Sequence, residues 1–287
     1  MLNAKILFVY GIMFVATLLM GFEVKALYLD IINSFIENKA SEMKSLPQDV
    51  IKSISFDKLS ETYHIPVLMY HYVEYVKDAR DTIRKSLDTT PDMFENQVKT
   101  FHDAGYEFLT MSDIADIVLV KKTAPVKSVA LTFDDGYRDF YTDVMPILSK
   151  YQAKATVFII SDFMDKPNYM FTNQLQEITG SGLVEIGAHT QRHENLKGKL
   201  EDQVRRELIG SKIKLETIIG IPVVSFAYPY GAFDNQVIRI VKESGYLSAV
   251  STIEGIGVTL TDRYFVPRIR PGRRIGEQLL TFIENTK

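Results

Sequence analysis

The clearest indication of the fold class is the sequence SVALTFDDG at residues 128–136. Its first six residues form a short apolar run of the length and composition typical of a buried strand. Asp134, Asp135 and Gly136 follow at once, and such a sequence usually forms a turn, because Asp bonds its own backbone and Gly accepts a positive φ. The stretch therefore predicts a buried strand that ends in two neighbouring carboxylates.

The same kind of apolar run occurs six more times downstream of residue 65. The seven runs are Pro66–Tyr70, Tyr106–Leu109, Ser128–Phe133, Ala155–Ile160, Leu183–Ala188, Val223–Ala227 and Tyr246–Ser251. Helix boundaries fall between them: Thr90 precedes Pro91 in a segment that Gly105 ends, and Asp234 begins another that ends at Gly245. Alternating strands and helices predict an α/β fold with a parallel sheet, and seven strands suggest a barrel, closed or incompletely closed.

The N-terminus carries a separate feature, the 17 uncharged residues from Ile6 to Phe22. This length is at the lower limit of a membrane-spanning helix, about 17 to 25 residues, and above the roughly 7 to 15 apolar residues of a secretory signal. Residues 24–26 offer a cleavage site, so residues 1–26 are predicted to be either a cleaved signal peptide or a membrane anchor. With Lys5 on the cytoplasmic side, both alternatives export the rest of the chain to the cell surface, the cell wall or the medium.

Residues 27–64 place apolar side chains at loosely helical intervals between charged ones. This pattern predicts a partly helical stem, or alternatively an N-terminal helix packed on the domain. The remaining residues, 65–287, are predicted to form the functional domain.

Composition restricts the function. With 33 Lys and Arg against 36 Asp and Glu, the net charge of −3 gives no electrostatic reason to bind nucleic acid. The chain contains no Cys, which excludes a disulfide framework, a thiolate metal site and a cysteine nucleophile. A bound metal would therefore use His, Asp or Glu as ligands.

Reactive side chains follow four of the predicted strands, at the edge where parallel barrels carry their active sites. His189 and His193 are four residues apart and can reach one cation, with Asp135 as the natural third ligand. Asp134 can then serve as general base toward a water that the metal activates. His71 can protonate a leaving amine, and a backbone amide in the turn of residues 228–231 can stabilise an oxyanion. Together these groups predict hydrolysis of an amide or an ester.

Residues 65 to about 270 resemble the polysaccharide deacetylases, carbohydrate esterase family 4, through TFDDG at residues 132–136 and HTQRH at residues 189–193. The resemblance implies a distorted (β/α) barrel and one divalent metal, commonly zinc, with cobalt or another ion as alternatives, held by Asp135, His189 and His193. It also implies that Asp134 is the base and that the backbone amide of Tyr230 lines the oxyanion hole. The implied reaction removes acetyl groups from N-acetylated sugars.

The sequence departs from the family pattern in its third and last motifs. AYPY at residues 227–230 lacks the usual Arg of the third motif, and we expect Arg268 to replace it from another strand end. No His follows His193, but His71 resembles the early histidine of the subgroup that deacetylates poly-β-1,6-N-acetylglucosamine, which also shows AYPYG. These features favour that polymer as the substrate, with peptidoglycan or chitin-like oligomers as alternatives.

Two other classes of function compete with this interpretation. An inactive carbohydrate-binding relative is expected to have lost a metal ligand or the base, and all four residues are present here. An enzyme that cleaves acetate esters or a small cyclic amide would use the same machinery. The predicted export argues against a small cytosolic substrate. Oligomeric state is not predictable from the sequence.

Overall fold

Seven parallel strands form the centre of the molecule in a computed structural model that describes residues 61–119 and 121–286. Their bounds are β1 Val67–Tyr70, β2 Glu107–Leu109, β3 Ser128–Phe133, β4 Ala155–Ile159, β5 Val184–Ala188, β6 Ser225–Ala227 and β7 Ser248–Val250. Each strand lies within one of the apolar runs of the sequence. The predicted fold class is confirmed.

The sheet has the strand order β1-β3-β4-β5-β6-β7, and β2 pairs with β3. An irregular segment, residues 266–269, spans the gap between its two edges. Val266 donates its N–H to Ala249 O on β7, and Ile269 donates to Val67 O on β1, each at 2.9 Å. Because a short segment takes the place of a full strand, the barrel is distorted as the resemblance implies.

Eight α-helices are present in the described part of the chain. They are α1 Thr82–Leu87, α2 Pro91–Asp103, α3 Met111–Val118, α4 Met145–Tyr151, α5 Thr172–Gly180, α6 Glu201–Ile219, α7 Asn235–Glu243 and α8 Gly276–Asn285. Two of them begin where the sequence predicts. Pro91 is the first residue of α2 after an extended Thr90, and the Asp234 side chain accepts the Val237 N–H of α7 at 2.9 Å.

The core has two parts, because neighbouring strand residues point to opposite faces of the sheet. On β3, Val129 and Leu131 pack in a cluster with Phe94 and Phe101 of α2, whereas Ala130 belongs to a second cluster with Phe158 and other residues. Thr132 and Asp134 follow Ala130 at intervals of two, and this spacing directs them to the same face as Ala130. The fold thus presents Asp134 on the side of the sheet opposite α2.

Part of the predicted domain organisation lies outside the described residues. The signal or anchor segment, residues 1–26, and the stem as far as residue 60 fall there, so both stay predictions. Among the residues that the structure describes, no helix combines the length and the apolar composition that a membrane crossing requires.

Candidate active site

Every residue that the sequence analysis selects for chemistry lies at the carboxyl end of a strand or in a loop that follows one. His71 follows β1, Asp134 and Asp135 follow β3, and His189 follows β5. Parallel strands end at the same edge of the sheet, so these side chains converge there. Tyr230 joins them, since its ring lies 4.6 Å from that of His193 between centroids.

Asp135, His189 and His193 form a compact group of potential metal ligands. Asp135 Oδ1 lies 3.4 Å from the Nε2 atom of each histidine. Ligand atoms held at about 2.1 Å around a tetrahedral zinc ion are about 3.4 Å apart, so the spacing fits one cation. Asp135 Oδ1 is buried and finds no hydrogen-bond donor among the described residues. A buried carboxylate oxygen without a donor is costly unless a cation satisfies it.

The histidine that comes directly from a strand is oriented by the next strand. His189 Nδ1 lies 2.8 Å from the carbonyl oxygen of Ala227, at the end of β6. A carbonyl can only accept, so Nδ1 carries the proton, and the lone pair of Nε2 faces Asp135. This hydrogen bond is the usual way in which proteins fix the tautomer of a metal-binding histidine.

The protonation states of Asp135 and His193 suit cation binding. Burial alone would raise the pKa of Asp135, but the neighbouring His189 and His71 hold it below its usual value. Burial, together with the nearby His189, lowers the pKa of His193 to about 4. At neutral pH the site therefore offers a carboxylate and an unprotonated imidazole, the forms in which both groups bind metals.

Asp134 forms a two-point ion pair with Arg268. Arg268 Nη1 and Nη2 donate to the two carboxylate oxygens at 2.7 Å each, and Arg268 as a whole is 1% exposed. Further donors of Arg268 bond to Ser251 O at 2.8 Å and to Thr132 Oγ1 at 3.1 Å. Burial would raise the pKa of Asp134, but Arg268 holds it well below its usual value, so the carboxylate is ionised at neutral pH.

His71 also lies close to the carboxylate of Asp134. Its Nε2 atom is 3.8 Å from Asp134 Oδ2, and the side chain is 16% exposed. Burial lowers the pKa of His71 in spite of the two nearby aspartates. A histidine with a lowered pKa is a stronger acid once it carries a proton, which suits proton donation to a leaving group.

Several site residues adopt a backbone conformation that side chains disfavour. Asp135, Thr190, His193 and Tyr230 have φ values of 74°, 64°, 60° and 60°. Positive φ in non-glycine residues is uncommon and concentrates at functional sites, where neighbouring structure holds it in place. The Tyr230 side chain is 67% exposed, so packing of its ring into the core does not account for this conformation.

One buried carboxylate close to the site escapes the sequence analysis. Glu207 of α6 is 1% exposed and accepts hydrogen bonds from the backbone amides of Gln191 and Arg192, between the two histidines. The signal that could have revealed it is helical spacing. Glu207 lies in the buried stripe of Val204, Leu208 and Ser211, where a charged side chain needs a partner.

Comparisons with known proteins agree with this geometry. The family model described as polysaccharide deacetylase matches residues 121–249. YxkH of Bacillus subtilis, named as a polysaccharide deacetylase, is 30% identical over 225 residues, which are 78% of this chain and 77% of that protein. Poly-β-1,6-N-acetyl-D-glucosamine N-deacetylases of Staphylococcus aureus are 28% identical over 200 residues, 64% of this chain and 68% of theirs.

Solved structures show the same relationship. The deacetylase PplD of Streptococcus pyogenes, solved in complex with acetate, has a TM-score of 0.70 and 27% identity, over 79% of this chain and all of that one. BC0361, a polysaccharide deacetylase from Bacillus cereus, has a TM-score of 0.68 and 30% identity, over 77% of this chain and 69% of that one. The chain belongs to the polysaccharide deacetylase family, whose members are hydrolases of carbon-nitrogen bonds.

Proposed function

We propose that this protein is an N-deacetylase that depends on a divalent metal and removes acetyl groups from the N-acetylglucosamine units of a polysaccharide. The polysaccharide that we favour is poly-β-1,6-N-acetylglucosamine. The observation that carries the proposal is the buried, unsatisfied Oδ1 of Asp135 between His189 and His193. The ligand set of two imidazoles and one carboxylate favours zinc, and cobalt and other divalent ions suit it as well.

Each remaining site residue has a role in amide hydrolysis under this proposal. A divalent cation held by Asp135, His189 and His193 would polarise the acetyl carbonyl and acidify a water molecule. Asp134, kept ionised by Arg268, accepts the proton of the attacking water. The backbone N–H of Tyr230 donates to the developing oxyanion, and the protonated form of His71 donates its proton to the departing sugar amine. The proton that Asp134 has accepted then returns to His71, whose Nε2 lies 3.8 Å away, so both groups are reset. The products are acetate and a glucosamine unit.

The role of Arg268 follows from its contacts with Asp134. Its two hydrogen bonds hold the carboxylate plane, and its charge prevents Asp134 from being neutral before the reaction begins. The Arg that the family usually carries in the third motif is absent at Ala227, and Arg268 supplies a guanidinium to the base from the segment after β7. We propose that this is its function.

The choice of polymer rests on four features. His71 and the AYPYG sequence resemble the subgroup that acts on poly-β-1,6-N-acetylglucosamine, and the relatives from Staphylococcus aureus carry that activity in their name. The uncharged run of residues 6–22 supports export to the cell surface, where such polymers are located.

The proposal is tested by measuring acetate release from a panel of substrates. The zinc-loaded protein should act on β-1,6-linked N-acetylglucosamine oligomers faster than on β-1,4-linked oligomers or peptidoglycan fragments. Faster release from β-1,4-linked oligomers or from peptidoglycan fragments would mean that this polymer is the substrate instead. Binding of all of them without acetate release would favour a carbohydrate-binding protein. Faster release from small acetate esters than from any amide would reassign the chain as an esterase.

A further inference from the structure

The chain between the two candidate histidine ligands forms a tight, strained turn. Thr190 and His193 both have a positive φ, 64° and 60°, a conformation that is strained for residues other than glycine. The turn is what brings His193 back toward Asp135 after β5 has delivered His189. Its shape therefore sets the distance between the two imidazoles, and other parts of the protein have to stabilise it.

The carbonyl groups of the turn are held by the loop after β4. Ser161 and Asp162 donate their N–H groups to Thr190 O and Gln191 O at 3.1 and 2.9 Å. Within the turn, the His193 N–H donates to Thr190 Oγ1 at 2.9 Å. These contacts leave the N–H groups of residues 191 and 192 to be satisfied from elsewhere.

Glu207 satisfies both of those N–H groups from the opposite side. Its Oε2 accepts from Gln191 N at 2.9 Å and from Arg192 N at 3.0 Å. Its Oε1 accepts from Arg192 Nε and Nη2 at 2.8 and 2.6 Å. Four hydrogen bonds thus converge on one fully buried carboxylate, whereas Arg192 itself is 58% exposed at its side chain.

The position of Glu207 is rigid because it belongs to the longest helix described. α6 has 19 residues, and Val204, Leu208 and Leu215 bury it against the core. Gly210 lies one turn after Glu207. A Cβ atom at this position would lie 2.6 Å from the side chain of Gln191, and glycine leaves this space free. The helix therefore both approaches the turn closely and bonds to it.

We propose that Glu207 is a positioning residue for the metal site. Glu207 holds His193 at the distance from His189 that one cation requires. The inference rests on the proposed metal dependence of the function. Glu207 acts through the backbone of residues 191 and 192 and makes no contact with the ligand atoms. Residues that support metal ligands in this indirect way typically contribute 10- to 100-fold to metal affinity.

The test is the metal affinity of the wild-type protein, of two Glu207 variants and of one control variant, measured without substrate. In Glu207→Gln, the amide NH₂ would face the guanidinium of Arg192, so the turn should loosen. We expect zinc to bind 10- to 100-fold more weakly in a competition with a chromophoric chelator. The visible absorption bands of the cobalt-substituted protein should also shift, because these bands depend on the geometry of the ligands around the ion. A loss of overall stability alone would leave the bands of the folded protein unchanged.

Glu207→Asp covers the case in which Glu207→Gln does not fold. It keeps the charge and shortens the side chain by about 1.5 Å, so the carboxylate cannot reach both amides and the ion pair together. The matched control is Glu216→Gln, also on α6, whose Oε1 accepts the N–H of Val223 at 2.9 Å, away from the metal ligands. It should bind zinc with wild-type affinity and give the wild-type cobalt spectrum.

Three results would overturn the role of Glu207: a folded Glu207 variant with wild-type zinc affinity and cobalt spectrum, an equal loss in Glu216→Gln, or a failure of both Glu207 variants to fold. These results are distinguishable from failure of the proposed function. If the wild-type protein itself binds no divalent metal, the metal-dependent function is wrong. If the wild type binds zinc and only the Glu207 effect is missing, the function stands and the positioning role does not.

Discussion

Asp134 and Arg268 are ionised side chains buried together, and such a pair is tolerated when hydrogen bonds compensate for the lost contact with water. Each guanidinium nitrogen of Arg268 donates at least one hydrogen bond, because Thr132 and Ser251 accept bonds in addition to those that Asp134 accepts. The two residues are 134 positions apart in the sequence. At the scale of single residues, the pair therefore serves to keep one carboxylate charged in a buried site.

Replacing the proposed base tests this directly. Asp134→Asn preserves shape and one acceptor but removes the negative charge that takes up a proton. We expect acetate release to fall by about 10²- to 10⁴-fold, the usual contribution of a general base, while zinc content stays at the wild-type level. Both are measured on the same preparation. A variant with normal turnover would show that another group accepts the proton.

A partly buried carboxylate, that of Asp139, makes a prediction about pH. Asp139 accepts the N–H of Val73, and burial raises its pKa to about 7. An unfolded Asp has a pKa of about 3.9, so between those values the folded protein binds the extra proton. The contribution of Asp139 to the free energy of unfolding is therefore fully present below about pH 4 and is lost as the pH rises toward 7.

Asp139→Asn should remove this pH dependence, since its amide oxygen still accepts the Val73 N–H without a charge to desolvate. One unit of difference between the folded and unfolded pKa is about 1.4 kcal/mol, so the variant should gain at least that much at pH 8 and little at pH 4. Urea unfolding at both values gives the free energies. Asp116→Asn, at an exposed aspartate, is the control, and the prediction is wrong if both variants behave alike.

Among the helices and strands, local sequence patterns are sufficient to predict those elements whose position depends on neighbouring residues alone. All seven strands coincide with apolar runs, because a strand buried on both faces is apolar along its whole length. The beginnings of α2 and α7 follow from Thr90 and Asp234, whose preference for helix ends is intrinsic. These features need no knowledge of the tertiary contacts.

Other elements depend on contacts that no local pattern contains. The turn at residues 190–193 takes up its conformation because Ser161, Asp162 and Glu207 hold it, and these residues come from two other elements. The sequence predicts that His189 and His193 can share a cation, but it does not reveal what stabilises the intervening backbone. For the same reason the approach of Arg268 to Asp134 could only be a hypothesis until the course of residues 266–269 was known.

The cap of α7 offers a test at this scale. Asp234 accepts the N–H of Val237 at 2.9 Å and that of Gly198, in the loop before α6, at 3.0 Å. Asp234→Ala leaves both donors without this acceptor and should lower the free energy of unfolding by about 1–2 kcal/mol. Urea unfolding measures the loss, and Asp234→Asn should recover only part of it, because its single amide oxygen can accept from Val237 or from Gly198 but not from both. Zinc affinity should not change, and a large decrease would mean that the cap also supports the metal site.

The candidate active site brings together side chains from distant parts of the chain, and only the complete barrel joins them. Asp135 follows β3 and His189 follows β5, while Arg268 comes from the segment between β7 and β1. An unfolded chain does not hold these residues together. A metal ion should therefore bind the folded protein almost exclusively, and binding should stabilise the domain as a unit.

This linkage predicts how stability responds to metal. Free zinc at 100 times its Kd should raise the free energy of unfolding by about 2.7 kcal/mol relative to the metal-free protein, measured by urea unfolding with and without a chelator. His189→Ala, which removes one of three ligands, should lose most of this response. His102→Ala, at an exposed histidine on α2, should keep all of it. If His189→Ala is stabilised as much as the wild type, zinc binds elsewhere, and the group of Asp135, His189 and His193 is not the metal site.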